Sequence, residues 1–274
     1  MSQAPADLGA LRPRTMEFDL EGLPRHWMAG MAVPTALGNA LHLIFPMGER
    51  FFVRSVKHYL ATIDDETLRE QVRGFFGQEG RHAHVHEEVF KLLRAQGYEV
   101  DRFLRLYKKV AYDFIERISP PALRLAATAA LEHYTAILAE GALCHGTLDV
   151  AHPKMQPLLR WHACEEIEHK AVAFDVLKKV NPSYALRMAG MAVATICLLS
   201  FWTIGATMLL RQEKDLTLRE IALQLFRAQQ RQPILRRVFL RGLREYLRPS
   251  FHPWDNDNLA VARKHLAELE SAAA

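Results

Sequence analysis

Two segments of this chain repeat the motif Glu-x-x-His on an otherwise apolar helical face, and this repetition constrains the fold more than any other feature. At the helical period, each segment stacks one carboxylate and two imidazoles on a single face. These groups are Glu79, His82 and His86 within residues 72–93, and His162, Glu166 and His169 within residues 158–180. An unpaired buried carboxylate is costly, and carboxylates together with imidazoles suit a metal ion. The repetition therefore predicts two buried helices that meet around metal.

Two further amphipathic segments each carry a single glutamate on the apolar face. Glu49 lies in residues 35–60, where Pro46 is expected to kink the helix or to start a new one, and Glu132 lies among small residues within 121–146. The expected long helices are 35–60, 64–96, 121–146 and 152–180, with a shorter helix over 101–118. This order of lone glutamates and Glu-x-x-His motifs, with one long crossover, is that of ferritin-like di-iron or di-manganese bundles. The predicted fold is all-α: a ferritin-like four-helix bundle with one crossover helix.

The rest of the chain divides around this bundle, which we place at residues 34–182. Residues 1–33 contain several prolines and no sustained period, so we expect a loosely ordered arm. Residues 183–211 are expected to form a hydrophobic helix, and residues 212–274 to form basic C-terminal helices. Half of all residues are hydrophobic and 24% are charged, as in ordinary globular proteins.

Residues 188–210 contain no charged side chain, and their length satisfies a membrane-spanning helix. Basic residues flank both ends, however, whereas the positive-inside rule requires an asymmetry. A buried or membrane-touching helix is therefore favoured over a true span, and both interpretations stay open. The arginine-rich stretch 227–248 also allows two interpretations: a solvated helix packed on the bundle, or adsorption to anionic lipid beside the hydrophobic helix.

Charge and cysteine content restrict the partners and the compartment. A formal net charge of +4 is too small to indicate nucleic-acid binding. The three cysteines form no Cys-x-x-Cys motif and follow no secretory signal, which favours reduced thiols. We therefore expect a cytoplasmic protein, with the inner face of the membrane as a further place of association.

The candidate ligands supply enough donors for two metal ions. Four carboxylates and two imidazoles form the minimal set: Glu49, Glu79, His82, Glu132, Glu166 and His169. Iron is the expected metal, with manganese and zinc as alternatives. His162 lies one turn before Glu166 and is expected to be a third imidazole ligand, whereas His86 is either a further ligand or a core histidine. Glu79, Glu132 and Glu166 are the candidate catalytic carboxylates.

Other polar residues beside the predicted site receive structural interpretations. Glu165 and Glu168 flank the metal face, and an ion pair with Lys170 or a nearby arginine is favoured over a role in orienting a histidine. His133 and Tyr134 follow the lone glutamate of the third long helix on other faces and are expected to pack. No Gly-rich phosphate loop and no convincing Ser-His-Asp arrangement occurs in the sequence.

Four short motifs stand out along the chain: Phe45-Pro46-x-Gly48-Glu49-x-Phe51-Phe52, Gln78-Glu79-x-x-His82-x-x-x-His86, Glu132-His133-Tyr134 and Trp161-His162-x-x-Glu165-Glu166-x-Glu168-His169-Lys170. On these motifs the chain resembles a family of ferritin-like bacterial proteins described as predicted metal-dependent hydrolases, over residues 35–255. The His-x-x-x-Glu-x-x-His spacing is also similar to that of di-iron N-oxygenases that oxidise aryl amines. In those enzymes the extra histidine is a metal ligand, which implies the same role for His162.

Three functions fit these features. The first is a di-iron oxidase or oxygenase that takes electrons from a donor and oxidises a hydrophobic or amphiphilic small molecule, for which a lipid-like compound is a candidate. The second is a two-metal hydrolase in which a bridging hydroxide attacks an ester or amide. The third is a non-catalytic protein that binds metal or associates with a membrane. A membrane surface is an expected partner, and nucleic acid is not.

Overall fold

Helices dominate the structure, a computed structural model that describes Pro5 and residues 8–273; residues 1–4, 6, 7 and 274 lie outside the described residues. The α-helices are α1 (Ala32–Lys57), α2 (Glu66–Ala95), α3 (Asp101–Tyr107), α4 (Pro121–Cys144), α5 (Gln156–His169), α6 (Val172–Val180), α7 (Tyr184–Leu210), α8 (Leu218–Arg231), α9 (Arg241–Tyr246) and α10 (Leu259–Ala273). Within the described ranges, β-type pairing is limited to an isolated bridge between Met28 and Ala151. The predicted all-α class is confirmed.

Four long stretches of helix surround the predicted site. α1 packs on α2, and α4 packs on α5 and α6, while contacts of α1 with α4 and of α2 with α5 close the group. α3 and the π-helical segment Lys108–Glu116 connect α2 to α4, in the place where the crossover helix was expected. The order of elements thus follows the predicted bundle, and its ferritin-like assignment stays a prediction.

An N-cap residue and a glycine set the two ends of α2. Asp65 caps the N-terminus, because its side chain accepts a hydrogen bond from the Leu68 amide at 3.2 Å. At the other end, Gly97 adopts a φ of 86° and donates its amide to the Arg94 carbonyl. Glycine takes this left-handed conformation at little cost, so it terminates the helix.

Two helices depart from their predicted courses. The prediction of a single helix over 152–180 is wrong, because α5 ends at His169 and α6 begins at Val172. Lys170 lies at this break, buried, with its ammonium donating to two acceptors of the C-terminal segment at 2.6 and 2.7 Å. Pro46, in contrast, starts no new helix, since α1 continues through it.

The N-terminal arm is packed rather than loosely ordered over its described part, which corrects the expectation for residues 1–33. Leu11, Leu23 and Trp27 are buried in the main core. Two glycines of α2 allow this approach: a Cβ atom at Gly74 would overlap the Leu11 carbonyl, and one at Gly77 would overlap the Pro13 ring. The arm therefore lies directly against the helix that carries the first Glu-x-x-His motif.

α7 is the one described helix that is long and apolar enough to cross a membrane, a test that core helices of other proteins also pass. One of its faces packs on α1 and α4. Gly190 makes this packing close, because a Cβ there would overlap the backbone of Ala126. The opposite face is exposed and includes Ile196 and Ile204. The helix is therefore partly integrated into the core, with one third of its most apolar stretch buried.

The basic C-terminal segment is helical but discontinuous. α8 ends at Arg231, Pro233 follows, and a π-helical segment (Leu235–Leu240) leads into α9, so 227–248 is not a single helix. In the turn before α10, the Asp255 carboxylate accepts the amide of His252 at 3.3 Å. α8 buries none of its side chains fully and leaves several large apolar ones exposed.

Candidate metal centre

The described helices bring all the sequence-predicted ligands into one buried cluster. α1 supplies one residue, α2 three, α4 one and α5 three: Glu49, Glu79, His82, His86, Glu132, His162, Glu166 and His169. Each of these side chains is buried, the most exposed being His162 at 6%. His86, whose role the sequence left open, lies inside the cluster and not at its edge.

One side of the cluster is rich in carboxylates around His169. Its Nε2 atom lies 3.0 Å from Glu79, 3.4 Å from Glu132 and 3.6 Å from Glu166. None of these contacts has the alignment of a hydrogen bond, since Nε2 and the facing carboxylate oxygens have no hydrogen-bond partner. Three carboxylates and one imidazole thus lie close together, and none of the atoms that face one another has a hydrogen-bond partner.

The other side of the cluster is rich in imidazoles. The Nε2 atom of His162 lies 2.8 Å from Glu166, and its Nδ1 atom lies 2.9 Å from Nε2 of His86. Glu49 faces this pair, with one carboxylate oxygen 3.6 Å from His86 and 3.8 Å from His162. Glu166 therefore connects the two sides of the cluster.

Unsatisfied polar atoms concentrate at the centre of the cluster. Both oxygens of Glu49, Glu79 and Glu132 lack a hydrogen-bond partner, as do one oxygen of Glu166 and Nδ1 of His82. Buried polar atoms are normally paired, because leaving one unpaired costs about 1–3 kcal/mol, and more when it is charged. Carboxylate oxygens and imidazole nitrogens are also the donors that iron, manganese and zinc accept. These residues therefore fit metal ions.

Four overlapping triplets have ligand atoms within 4.8 Å of one another: Glu49–His86–His162, His82–His162–Glu166, Glu49–Glu79–His82 and Glu79–Glu166–His169. Glu79 and Glu166 each belong to two triplets, and together they connect the carboxylate-rich side to the imidazole-rich side. Two adjacent ions that share carboxylates would use this arrangement, as in two-metal sites generally.

Burial and the crowding of carboxylates shift the pKa values of the cluster residues. Burial, followed by repulsion from Glu79 and Glu166, holds the pKa of the Glu49 carboxyl well above its usual range. Burial likewise raises the pKa of Glu132. Burial opposes protonation of His82, but the hydrogen bond with Glu165 and the nearby carboxylates of Glu166 and Glu79 outweigh it and raise the pKa of His82 to about 9. Bound cations would therefore displace protons from these groups.

A chain of three imidazoles leads out of the cluster. His42 Nδ1 lies 2.8 Å from His86 Nδ1, and His86 Nε2 continues to His162. Burial lowers the pKa of His42 to about 3 and that of His162 to about 4, so both rings are neutral at pH 7. With Glu166 ionised, neutral rings satisfy the chain when His42 donates to His86 and His86 donates to His162. His42 was not among the predicted site residues, although it shares the apolar face of Glu49.

Each Glu-x-x-His histidine contacts the residue that directly precedes the glutamate of the other motif. His82 Nε2 lies 3.1 Å from Glu165, the residue before Glu166, and His169 Nδ1 lies 3.1 Å from Gln78, the residue before Glu79. Such contacts fix the ring orientation and tautomer of a ligand histidine. Both supporting residues directly precede the glutamate of a motif, and this shared position is the sequence signal for Gln78, which was not among the predicted site residues.

Arg14 of the N-terminal arm supports both of these contacts. Its guanidinium binds Glu165 at 3.1 Å and Glu168 at 2.7 Å, and Glu168 also accepts a hydrogen bond from Gln78 at 2.9 Å. An arginine partner for Glu165 and Glu168 was among the expectations, but Glu165 also orients a histidine, and Lys170 pairs with neither. His133 packs structurally, with its Nε2 atom 3.1 Å from a backbone carbonyl.

A mostly apolar cavity of about 450 Å³ opens beside the cluster. We call the buried part of its lining with His42, His162 and Glu166 the inner wall, and the part contributed by α8 and the π-helical segment after it, including Leu225 and Arg237, the far wall. The volume lies in the range of roughly 300–1,000 Å³ that is typical of small-molecule sites. The cavity therefore gives a substrate-sized molecule access to the imidazole-rich side of the cluster.

A family described as "predicted metal-dependent hydrolase" matches residues 12–257 of the 274-residue chain. The chain belongs to this family. The matched range includes Arg14, every cluster residue and the cavity walls, and the family description makes the protein a metal-dependent enzyme. The comparisons with curated proteins and with solved structures gave no match.

Proposed function

We propose that the protein is a two-metal hydrolase that cleaves an ester or amide bond in a hydrophobic or amphiphilic small molecule. Two observations support the proposal: the family description, and the unsatisfied carboxylate and imidazole atoms at the centre of the buried cluster. Of the functions expected from the sequence, the hydrolase was the second, and the family match favours it over the oxygenase.

In this proposal each of the two sides of the cluster binds one metal ion. His169 with Glu79 and Glu132 would hold one ion, Glu49 with the three histidines His82, His86 and His162 the other, and Glu166 would be shared. Such ions, when bound, activate water at neutral pH and polarise the carbonyl group of an ester or amide. Zinc, manganese and iron all accept this donor set, so the metal is part of the test.

The reacting bond would lie against the inner wall of the cavity, since His162 and Glu166 are the cluster residues that line it. Apolar side chains around them, such as Phe45 and Leu159, keep bulk water from the buried cluster. Low polarity around the site strengthens every electrostatic interaction inside it. Gln78 and Glu165 would act as positioning residues, because each contacts a ligand histidine and not the cavity.

A di-iron oxygenase is the second candidate, and one observation favours it. Four buried glutamates with Glu-x-x-His motifs on two helices correspond to the ligand set of di-iron carboxylate bundles. This candidate needs an electron donor and dioxygen, whereas the hydrolase needs neither. The two functions therefore separate under anaerobic conditions.

The proposed substrate also bears on where the protein acts. We propose a cytoplasmic protein that takes a lipid-like substrate at the inner face of the membrane. The exposed apolar side chains of α8, among them Leu218 and Phe226, lie on the helix that forms part of the far wall of the cavity. An amphipathic surface of this kind suits adsorption to lipid.

The test is anaerobic hydrolysis by metal-stripped protein reloaded with zinc, manganese or ferrous iron, with p-nitrophenyl esters of increasing chain length as probes. We expect metal-dependent release of nitrophenol that is lost in Glu166→Gln. Glu88→Gln is the matched control, because Glu88 is an exposed glutamate of α2 paired with Lys91. Oxygen consumption by the iron-loaded protein, without anaerobic hydrolysis by any of the three loaded forms, would assign the second candidate instead.

A further inference from the structure

The two ends of the cavity differ in charge. The inner end, at His162 and Glu166, is buried and contains the one carboxylate of the described cavity wall. The outer end carries Arg231, Arg237 and Arg241, contributed by α8, the π-helical segment after it and α9. The rest of the wall is mostly apolar, with Leu37, Leu41, Leu138 and Leu225 among its side chains.

The three arginines at the outer end are not equivalent. Arg241 is neutralised, because it binds Glu140 at 2.6 Å and Glu245 at 2.7 Å. Arg237 donates to the side-chain oxygen of Gln232 at 3.2 Å, and neither it nor Arg231 forms an ion pair with a carboxylate in the described part of the chain. Both are exposed, so the mouth of the cavity presents two uncompensated positive charges.

This charge distribution would orient a ligand that has one charged end. A negative group is attracted to the mouth by Arg231 and Arg237, while an apolar chain gains free energy by leaving water for the leucine-lined wall. A positive group would meet the opposite forces at the mouth. An anionic amphiphile is therefore the class of molecule that matches both ends of the cavity.

We infer that the cavity binds an anionic amphiphile with its carboxylate or phosphate at Arg231 and Arg237 and its apolar chain directed toward the metal centre. The bond that reacts then lies at the end of the molecule remote from the anion, separated from it by an apolar spacer. This last point rests on the proposed hydrolase function, whereas the binding orientation does not.

Two tryptophans in the cavity wall allow binding to be measured without turnover. The indole of Trp27 donates to Asn39 Oδ1 and that of Trp202 donates to the Leu37 carbonyl, both at 2.8 Å. These hydrogen bonds hold both rings in the wall, so their fluorescence reports occupation of the cavity.

The test compares three ten-carbon probes, each below its micelle concentration: decanoate, decanol and decyltrimethylammonium. In the metal-stripped protein we expect decanoate to bind most tightly and the cation most weakly. The double variant Arg231→Gln/Arg237→Gln should weaken decanoate by about tenfold and leave decanol unchanged. Decyl phosphate, run in parallel, shows which anion the mouth prefers.

Two controls separate binding in the cavity from adsorption to the surface. Arg236→Gln removes an exposed arginine of the same π-helical segment that does not line the cavity, and it should change neither affinity. Gly141→Leu places a side chain in the cavity, since only the Thr147 hydroxyl lies within 4 Å of a Cβ there, at 3.9 Å. It should weaken decanoate and decanol alike.

Equal affinities for the three probes would overturn the inference, as would an equal loss in Arg236→Gln or undiminished binding in Gly141→Leu. A second arm uses the metal-loaded protein and compares the monomethyl ester of a ten-carbon dicarboxylic acid with methyl decanoate. We expect a lower KM for the charged ester, and loss of that advantage in the double variant. Anion-selective binding without hydrolysis of either ester would contradict the proposed function and leave the binding orientation standing.

Discussion

His82 and His169 hold equivalent places in the two Glu-x-x-His segments, yet a carboxylate supports the first and an amide supports the second. Glu165 contacts the ring of His82, and Gln78 contacts the ring of His169, each at 3.1 Å. A carboxylate partner makes an imidazole a stronger donor to metal than a neutral partner does. The same motif thus occurs in two electrostatic settings, and the two ions of the proposed centre should differ in affinity.

The largest effect is expected where the two sides of the cluster meet. Glu166→Gln keeps the shape of the side chain but removes the charge shared by both sides. We expect loss of bound metal and a fall in activity greater than the roughly 10–100-fold typical of residues that only support a ligand. Elemental analysis and the hydrolysis assay measure both quantities, with Glu88→Gln as the unaffected control. Two ions retained in Glu166→Gln would remove the basis for treating it as shared.

Stability against pH probes the protons that occupy the cluster when metal is stripped. The pKa of His82 is raised to about 9 and that of His169 well above its usual value, because neighbouring carboxylates outweigh burial. Below pH 6.5 these histidines are protonated in both the folded and the unfolded chain, so their contribution to stability is fully present. Between pH 6.5 and 9 only the folded chain keeps the proton on His82, so the free energy of unfolding falls as pH rises.

This loss amounts to roughly 3 kcal/mol for His82, at about 1.4 kcal/mol per pKa unit. Urea unfolding of the metal-stripped protein at pH 6.5, 7.5 and 8.5 measures it. In the metal-loaded protein the cations replace the protons, so we expect the decline to disappear and metal affinity to rise with pH. A metal-stripped protein equally stable at all three pH values would show that the cluster holds no such protons.

Glu165→Gln tests the comparison itself, because it gives both histidines an amide partner. We expect one of the two ions to bind about 10–100-fold more weakly, and the decline of stability between pH 6.5 and 9 to become shallower. Metal titration followed by calorimetry resolves the two affinities. Equal losses at both ions, or none, would show that the carboxylate behind His82 does not distinguish the sides.

The smallest effect is expected from the arm. Arg14→Gln removes the cation that binds Glu165 and Glu168 but leaves both carboxylates in place. Because Arg14 contacts no candidate ligand directly, we expect metal affinity to fall by less than in Glu165→Gln, by about two- to tenfold. Arg12→Gln is the control, since that side chain is exposed on the same arm. An effect of Arg14→Gln as large as that of Glu165→Gln would show that the arm, and not the Glu165 carboxylate alone, causes the difference in affinity between the two ions.

The helical faces could be predicted from the sequence, because side chains three and four residues apart share a face of a helix whatever the tertiary context. That rule predicted seven of the cluster residues as ligands and left His86 open between a ligand and a core histidine. It also predicted the helices that bear them, although the one expected over 152–180 is divided after His169. It could not show that His86 lies between His42 and His162, since this depends on how α1, α2 and α5 pack.

The features that the sequence missed depend on contacts between residues distant in the chain. Arg14 meets Glu165 across 151 positions, and the break after His169 coincides with contacts between Lys170 and residues 86 to 88 positions away. The cavity likewise needs α1, α4, α5 and α8 to be placed together. No local period encodes such contacts, so proline and polarity alone made the arm look loose.

The proposed two-metal centre is best tested by metal titration of the stripped protein under anaerobic conditions. With zinc, manganese or ferrous iron, we expect binding of about two ions per chain, release of protons on binding, and two distinguishable affinities. We also expect Glu165→Gln to bring the two affinities together by weakening the tighter one. Failure of all three metals to bind at the buried cluster, or binding without proton release, would show that the cluster is not such a centre.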